Sequence, residues 1–196
     1  MSGAQKMLDR EAVLAPILAE RGDGLVVPSL GNANYDLFAA GDAPENVYIW
    51  NAMGITASIG LGLALAQPSR RVLVTAGDGD MMMGIGSLAT IAVQAPENLS
   101  ILVVDNAMFE ETGSQKGLTA HGVDVAGIAD AAGFRETMTV TNEAEAEALP
   151  AFLWTRPGPV LAVVKVAPAI REPKFPTMDG ALIVRTFRAA VVGAAK

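Results

Sequence analysis

Val72-Leu73-Val74-Thr75-Ala76-Gly77-Asp78-Gly79 and Ile101-Leu102-Val103-Val104-Asp105-Asn106 are the two stretches that decide the fold. Each begins as an unbroken apolar run, the pattern of a strand buried on both faces of a parallel sheet. Each ends in polar residues at the carboxyl edge, where parallel α/β sheets bind their ligands. With 26 residues between Gly79 and Asn106, the spacing allows one helical crossover, so Asp78 and Asn106 are expected side by side at a surface-facing edge. A carboxylate, an amide oxygen, a nearby backbone carbonyl and a diphosphate together make an oxygen cage suited to Mg²⁺. Glycines on both sides of Asp78 let backbone approach a phosphate closely.

Outward from these stretches the chain alternates strands and helices. Apolar residues at helical spacing predict a helix over 8–20, with Asp9 as its N-cap. Strands are predicted at 25–27, 47–49, 72–75, 101–104, 137–140 and 160–166. Between them, helices are predicted at 35–39, 53–66, 82–94, 125–132 and 142–152, with a terminal helix at 181–192 after an extended stretch at 168–176. The small residues of 53–66 (Gly54, Ala57, Ser58, Gly60, Gly62, Ala64) permit very close packing. This order predicts a doubly wound parallel sheet. Residues 107–122 form a polar, glycine-rich stretch without period, longer than most structureless loops and so expected to be functional.

Composition excludes several classes. Cysteine is absent, which removes disulfides, thiolate metal sites and Cys-ligated iron–sulfur clusters and suits a cytoplasmic location. A formal net charge of −7 argues against a nucleic-acid partner. No apolar run is long enough to span a bilayer, so no membrane role is expected. Charged residues are only 18% of the chain, which suggests that part of its surface is buried against a partner. There is no repeat and no interdomain linker, so residues 1–196 are read as one domain.

Three stretches resemble the diphosphate-binding half of thiamine-diphosphate decarboxylases: Asn51-Ala52-Met53-Gly54, the GDGDMMMGIGSLAT run from Gly77, and the run from Asp105 through Glu110, Glu111 and Thr112 to Gln115. Within that family the likeness is greatest to sulfopyruvate decarboxylase beta subunits and phosphonopyruvate decarboxylases. The resemblance implies a three-layer α/β/α fold around a six-stranded parallel sheet. It also implies thiamine diphosphate and Mg²⁺ as cofactors, with Mg²⁺ on the side chains of Asp78 and Asn106 and the carbonyl of Met108. Gly31, Asn32, Gly77, Gly79 and Asp80 fall where relatives approach the diphosphate. A carboxylate at Asp80 would repel phosphate unless it turns away or caps the helix. Met53 corresponds to the apolar wedge beneath the cofactor, and the Asn51 carbonyl to the acceptor from its aminopyrimidine. Glu111 and His121, the only histidine, are the candidates for proton transfer.

The family also needs a glutamate on the pyrimidine side of the cofactor, and it comes from a separate domain. The resemblance covers the diphosphate half and leaves no length here for the other. The expectation is therefore a beta subunit whose site is completed by a pyrimidine-binding alpha subunit, acting on a small 2-oxo acid. A homodimer through the same face is one form open to the chain alone. The competing readings are a carboligase subunit of the acetolactate-synthase type and a non-catalytic cofactor-binding module.

Overall fold

The computed structural model describes residues 7–168 and 172–193. The elements run α1 (Arg10–Ala19), β1 (Leu25–Pro28), α2 (Asn32–Ala40), α3 (Thr56–Ala66), β2 (Val72–Gly77), α4 (Asp78–Met83) and α5 (Ser87–Gln94). They continue with β3 (Leu99–Asp105), β4 (Met108–Phe109), β5 (Gln115–Lys116), α6 (Val125–Ala132), β6 (Glu136–Val140), α7 (Glu143–Ala146), α8 (Leu149–Thr155), β7 (Val160–Lys165) and α9 (Gly180–Val192). Asp9 caps α1 as its position predicts, its Oδ1 accepting from the Ala12 N–H at 3.1 Å.

The main sheet is parallel, with five strands in the order β1-β2-β3-β7-β6. Strands β2 and β3 are central, and side-chain alternation divides them between two cores. Leu73, Leu102 and Val104 point to the face covered by α1 and α8, against Leu14, Ile17, Leu149 and Leu153. Val72, Val74, Ile101 and Val103 point to the face covered by α3, α5 and α6, against Leu61, Leu88, Ile91 and Ala129. A strand apolar on both faces must be sandwiched, which explains its unbroken apolar sequence.

The expected sixth strand is corrected. Around 47–49 the chain makes only a bridge, Asn46 to Val26, with the Val47 N–H donating to the Val26 carbonyl at 2.9 Å. The segment touches the sheet edge without extending along it. The helix expected over 53–66 begins only at Thr56, and the one expected over 82–94 is divided into α4 and α5. A close approach forces that division: a Cβ on Gly84 would overlap the Gly54 carbonyl oxygen. The stretch 107–122 is also more ordered than its sequence suggests. It contains the antiparallel pair β4–β5 and two short 3₁₀ turns, Glu110–Thr112 and Leu118–His121. Residues 169–171 of the expected extended stretch lie outside the described residues.

The small residues of α3 have two uses. Ala57, Gly60 and Ala64 face the sheet, and a Cβ on Gly60 would overlap the Val74 side chain. Gly62 faces outward with nothing near its missing Cβ. Gly60→Ala should therefore destabilise the chain by about 1–3 kcal/mol, the usual cost of overpacking a core. Gly62→Ala should stabilise it by about 0.5–1 kcal/mol through helix propensity alone. Denaturant titration of both variants checks the opposite signs.

Candidate active site

Strand register sets the geometry. Gly77, the last residue of β2, pairs with Val104 of β3, so the next residues, Asp78 and Asp105, are neighbours at the same edge. Asn106 follows at once. A cavity opens over this edge, bounded by the ends of β2 and β3, the N-terminal turns of α2 and α4, and the β4 segment. Gly31, Asn32, Met53, Gly77, Asp78, Gly79, Asp80, Asn106, Met108 and Glu111 all lie on its wall. Stretches far apart in sequence thus meet where their spacing placed them.

Asp78 departs from the surface-facing position expected of it: it is 2% exposed. Its Oδ2 accepts from the Thr119 hydroxyl at 3.0 Å, and that hydroxyl also lies 2.8 Å from Asp105 Oδ1. One proton is shared between two buried carboxylates. Asp105 has the Lys165 ammonium as counter-charge and accepts from the Ala107 N–H at 2.9 Å. Burial and then the Asp105 charge push the Asp78 carboxyl up to about 6. Backbone packs closely here too, since a Cβ on Gly117 would come within 2.8 Å of Asp78 Oδ2.

Asn106 makes a tight turn, its Oδ1 accepting from the Met108 N–H at 2.9 Å, with Ala107 in left-handed backbone at φ 60°. The turn places Asn106 and Met108 on the same cavity wall as Asp78. Among the described residues no three His, Cys, Asp or Glu side chains cluster to hold a metal by themselves. The donors present, one carboxylate and one amide with carbonyls nearby, form part of a shell that suits a hard cation sharing its remaining positions with ligand oxygens. A buried carboxylate facing a second carboxylate is also the electrostatic setting that a divalent cation relieves.

Asp80 lies on the cavity wall, and its carboxylate supports the loop before α3. Its Oδ1 accepts from the Gly54 N–H at 2.6 Å, with the Thr56 and Ser29 hydroxyls nearby. Burial raises its pKa and these donors oppose the rise. The carboxylate thus turns from the cavity toward the loop that carries Met53. The methyl of Met53 sits near Gly79, whose missing Cβ leaves room for the Phe109 ring.

Glu111 is exposed at the rim, and a Cβ on Gly31 would come within 2.7 Å of its Oε2. It faces the Tyr35 hydroxyl, whose pKa is raised by burial and then by the Glu111 charge. His121 and Asn51 lie off the cavity wall. His121 ends an exposed 3₁₀ turn. Loop geometry explains both: the turn at 118–121 directs Thr119 inward and His121 outward, and Asn51 sits in an exposed left-handed turn at φ 55°.

Sequence reasoning missed Arg10. Its side chain is 2% exposed, lines the cavity, and pairs with Asp36 and Glu110. The signal was present: Arg10 falls in phase with Val13, Leu14 and Ile17 on the buried stripe of α1. A cation in phase with core residues must meet its counter-ions inside.

Fold and cavity together define a doubly wound α/β protein with a candidate ligand site at the carboxyl edge of its sheet. Residues 37–164 match the thiamine pyrophosphate enzyme C-terminal TPP-binding domain. The chain is 36% identical over 188 residues to sulfopyruvate decarboxylase subunit beta of Methanothermobacter thermautotrophicus, covering 96% of this chain and 98% of that one. It is 36% identical over 184 residues to phosphonopyruvate decarboxylase of Streptomyces viridochromogenes, covering 93% of this chain but only 46% of that enzyme. The fold superposes on a Rhodococcus jostii thiamine diphosphate-dependent 4-hydroxybenzoylformate decarboxylase with TM-score 0.69 at 23% identity, over 84% of this chain and 34% of that one. The chain belongs to the thiamine pyrophosphate enzyme family.

The Asp78 site makes a pH prediction for the chain without cofactor. Its folded pKa, near 6, lies above the unfolded value near 4, so the folded state holds the extra proton in that interval. Stability should then rise as pH falls from 6 toward 4, and at pH 7 the ionised carboxylate is a net cost. Asp78→Asn removes that cost. The variant should gain about 1–3 kcal/mol at pH 7 and lack Asp78's share of the rise on acidification. Denaturant titrations at pH 7 and pH 5 check both points.

Proposed function

We propose that the chain is the diphosphate-binding subunit of a thiamine-diphosphate- and Mg²⁺-dependent 2-oxo acid decarboxylase. The observation that carries this is the convergence of Asp78, Asn106 and Met108 on one cavity at adjacent strand ends, in a chain that spans nearly all of a sulfopyruvate decarboxylase beta subunit. Residues 1–196 are proposed to form one such domain.

Asp78 and Asn106 would hold Mg²⁺ through side-chain oxygens and Met108 through its carbonyl. Gly31, Asn32, Gly77 and Gly79 would line the diphosphate, where missing side chains let backbone come close. Met53 would support the cofactor from below, on a loop that Asp80 fixes through Gly54. When bound, thiamine diphosphate supplies the electron sink that lets a 2-oxo acid release carbon dioxide. Glu111, at the rim beside Gly31 and Tyr35, is this chain's own candidate for moving a proton at the reacting end. His121, exposed and off the cavity, is not proposed for that role.

Several relatives are named as beta subunits, which supports a second chain. That chain would carry the pyrimidine side of the site. Substituted pyruvates bearing a sulfonate or phosphonate are the proposed substrate class, from the names of the relatives. A carboligase reading has one support, 32% identity over 123 residues to the acetolactate synthase isozyme 1 large subunit of Escherichia coli.

The test is carbon dioxide release from a panel of 2-oxo acids by this chain co-purified with a pyrimidine-binding chain, with thiamine diphosphate and Mg²⁺. Release with a free aldehyde as product is expected, fastest with the sulfo- or phosphonopyruvate, and neither chain alone should turn over. Asp78→Ala should lower turnover by more than the roughly 100-fold that loss of a metal's outer partners costs. A 2-hydroxy-3-oxo acid product would favour the carboligase, and full turnover by this chain alone would overturn the two-chain site.

A further inference from the structure

The Arg10 guanidinium lies between two carboxylates contributed by different parts of the fold. Nε is 2.8 Å from Asp36 Oδ2 in α2, and one terminal nitrogen is 2.7 Å from Glu110 Oε2 in the turn after β4. The same Glu110 oxygen accepts from the Asn32 side-chain amide. All three side chains are nearly buried, at 2% exposed for Arg10, 11% for Asp36 and 7% for Glu110. Arg10 itself stands on the first turn of a helix whose Val13, Leu14, Ile17 and Leu18 are fixed in the core.

Position in the chain gives this contact its consequence. Glu110 follows Met108 by two residues and Asn106 by four. Those are the two positions proposed to hold the cation beside Asp78. The segment's other bonds among the described residues are mostly local to the loop. The Met108 N–H bonds to the Asn106 side chain in its own turn, the Ala107 N–H to Asp105 Oδ1, the Gly117 N–H to the Ala107 carbonyl, and the Phe109 ring rests on Gly79. These bonds hold the hairpin to itself, and the ring holds one side chain. The Arg10–Glu110 pair, with the Asn32 amide on the same oxygen, ties the segment to the helical layer.

We propose that Arg10 is a positioning residue: by holding Glu110 it fixes residues 106–110, and with them the cation's Asn106 and Met108 donors, against Asp78. This rests on the proposed function for the identity of the cation and its cofactor, though not for the contact itself. A buried pair of this kind is a poor source of net stability but a strong constraint on geometry, because breaking it strands a charge. Groups that orient a metal's ligands typically govern its affinity by about 10–100-fold.

Two variants test the role. Glu110→Gln keeps the shape and leaves Arg10 its Asp36 partner, so it should fold. Arg10→Met removes the guanidinium and keeps much of its length. In each variant without cofactor, amide hydrogen exchange at Met108, Ser114 and Gly117 should accelerate by at least about tenfold, while amides of β2 and β3 stay as protected as before. The double variant should add nothing to the Arg10→Met effect. With the partner chain present, the Mg²⁺-dependent thiamine diphosphate midpoint should rise by at least about tenfold in both variants. Unchanged exchange at 108–117 in Glu110→Gln overturns the proposal. Equal loss of protection in β2 and β3 also overturns it, because the pair would then be merely structural. Faster exchange with an unchanged midpoint overturns the link to the cation. If the unmodified protein binds no cofactor while exchange responds as stated, the functional reading fails and the positional role of Arg10 stands.

Discussion

The fold of this chain is organised around an unfavourable interaction: two carboxylates, Asp78 and Asp105, buried at the neighbouring ends of the two central strands. Water would solvate both, and the sheet denies it to them. Lys165 offsets Asp105, and the Thr119 hydroxyl spans the pair. Asp78 is left with a raised pKa and a cavity in front of it. A buried carboxylate with a raised pKa beside a cavity is a candidate functional group, and a bound cation would relieve it.

The other features of the edge support that arrangement. Asp80 fixes the loop carrying Met53, and Arg10 holds Glu110. Gly79 and Gly117 keep side chains out of the space beside Asp78 that Phe109 and backbone occupy. Among the charged side chains that face the cavity acidic ones predominate, with Asp36, Asp78, Glu110 and Glu111 beside Arg10. An anionic ligand would enter such a site only with a cation, which couples the two in one binding event. The same edge also presents apolar side chains to solvent, among them Ile55 and Met83.

Much of this was legible in the sequence, because it depends on strand ends. An apolar run names a buried strand, and the residue after it lies at the ligand edge, so Asp78, Asn106 and the flanking glycines could be placed by counting. Less legible was whatever depends on side-chain direction. The direction of Asp80 is set by Gly54, which is 26 positions away, and no local pattern encodes it. His121 and Thr119 share one turn and face opposite ways, a matter of dihedral angles rather than composition. The strand at 47–49 looked as apolar as the others but meets β1 at a single bridge. Arg10 was legible in principle from helical phase, since it lies on the buried stripe of α1. Its partner Glu110, 100 positions away, was not.

The central claim is that Asp78, Asn106 and the Met108 carbonyl jointly ligate the cation that neutralises a diphosphate. The most direct measurement is anomalous diffraction from crystals of this chain with its partner, grown with thiamine diphosphate and Mn²⁺ in place of Mg²⁺. The account predicts one strong peak about 2.1–2.3 Å from an Asp78 carboxylate oxygen, the Asn106 side-chain oxygen and the Met108 carbonyl, with the remaining positions filled by diphosphate and water. A fully occupied diphosphate with its metal elsewhere, or with no metal within reach of Asp78, would contradict it.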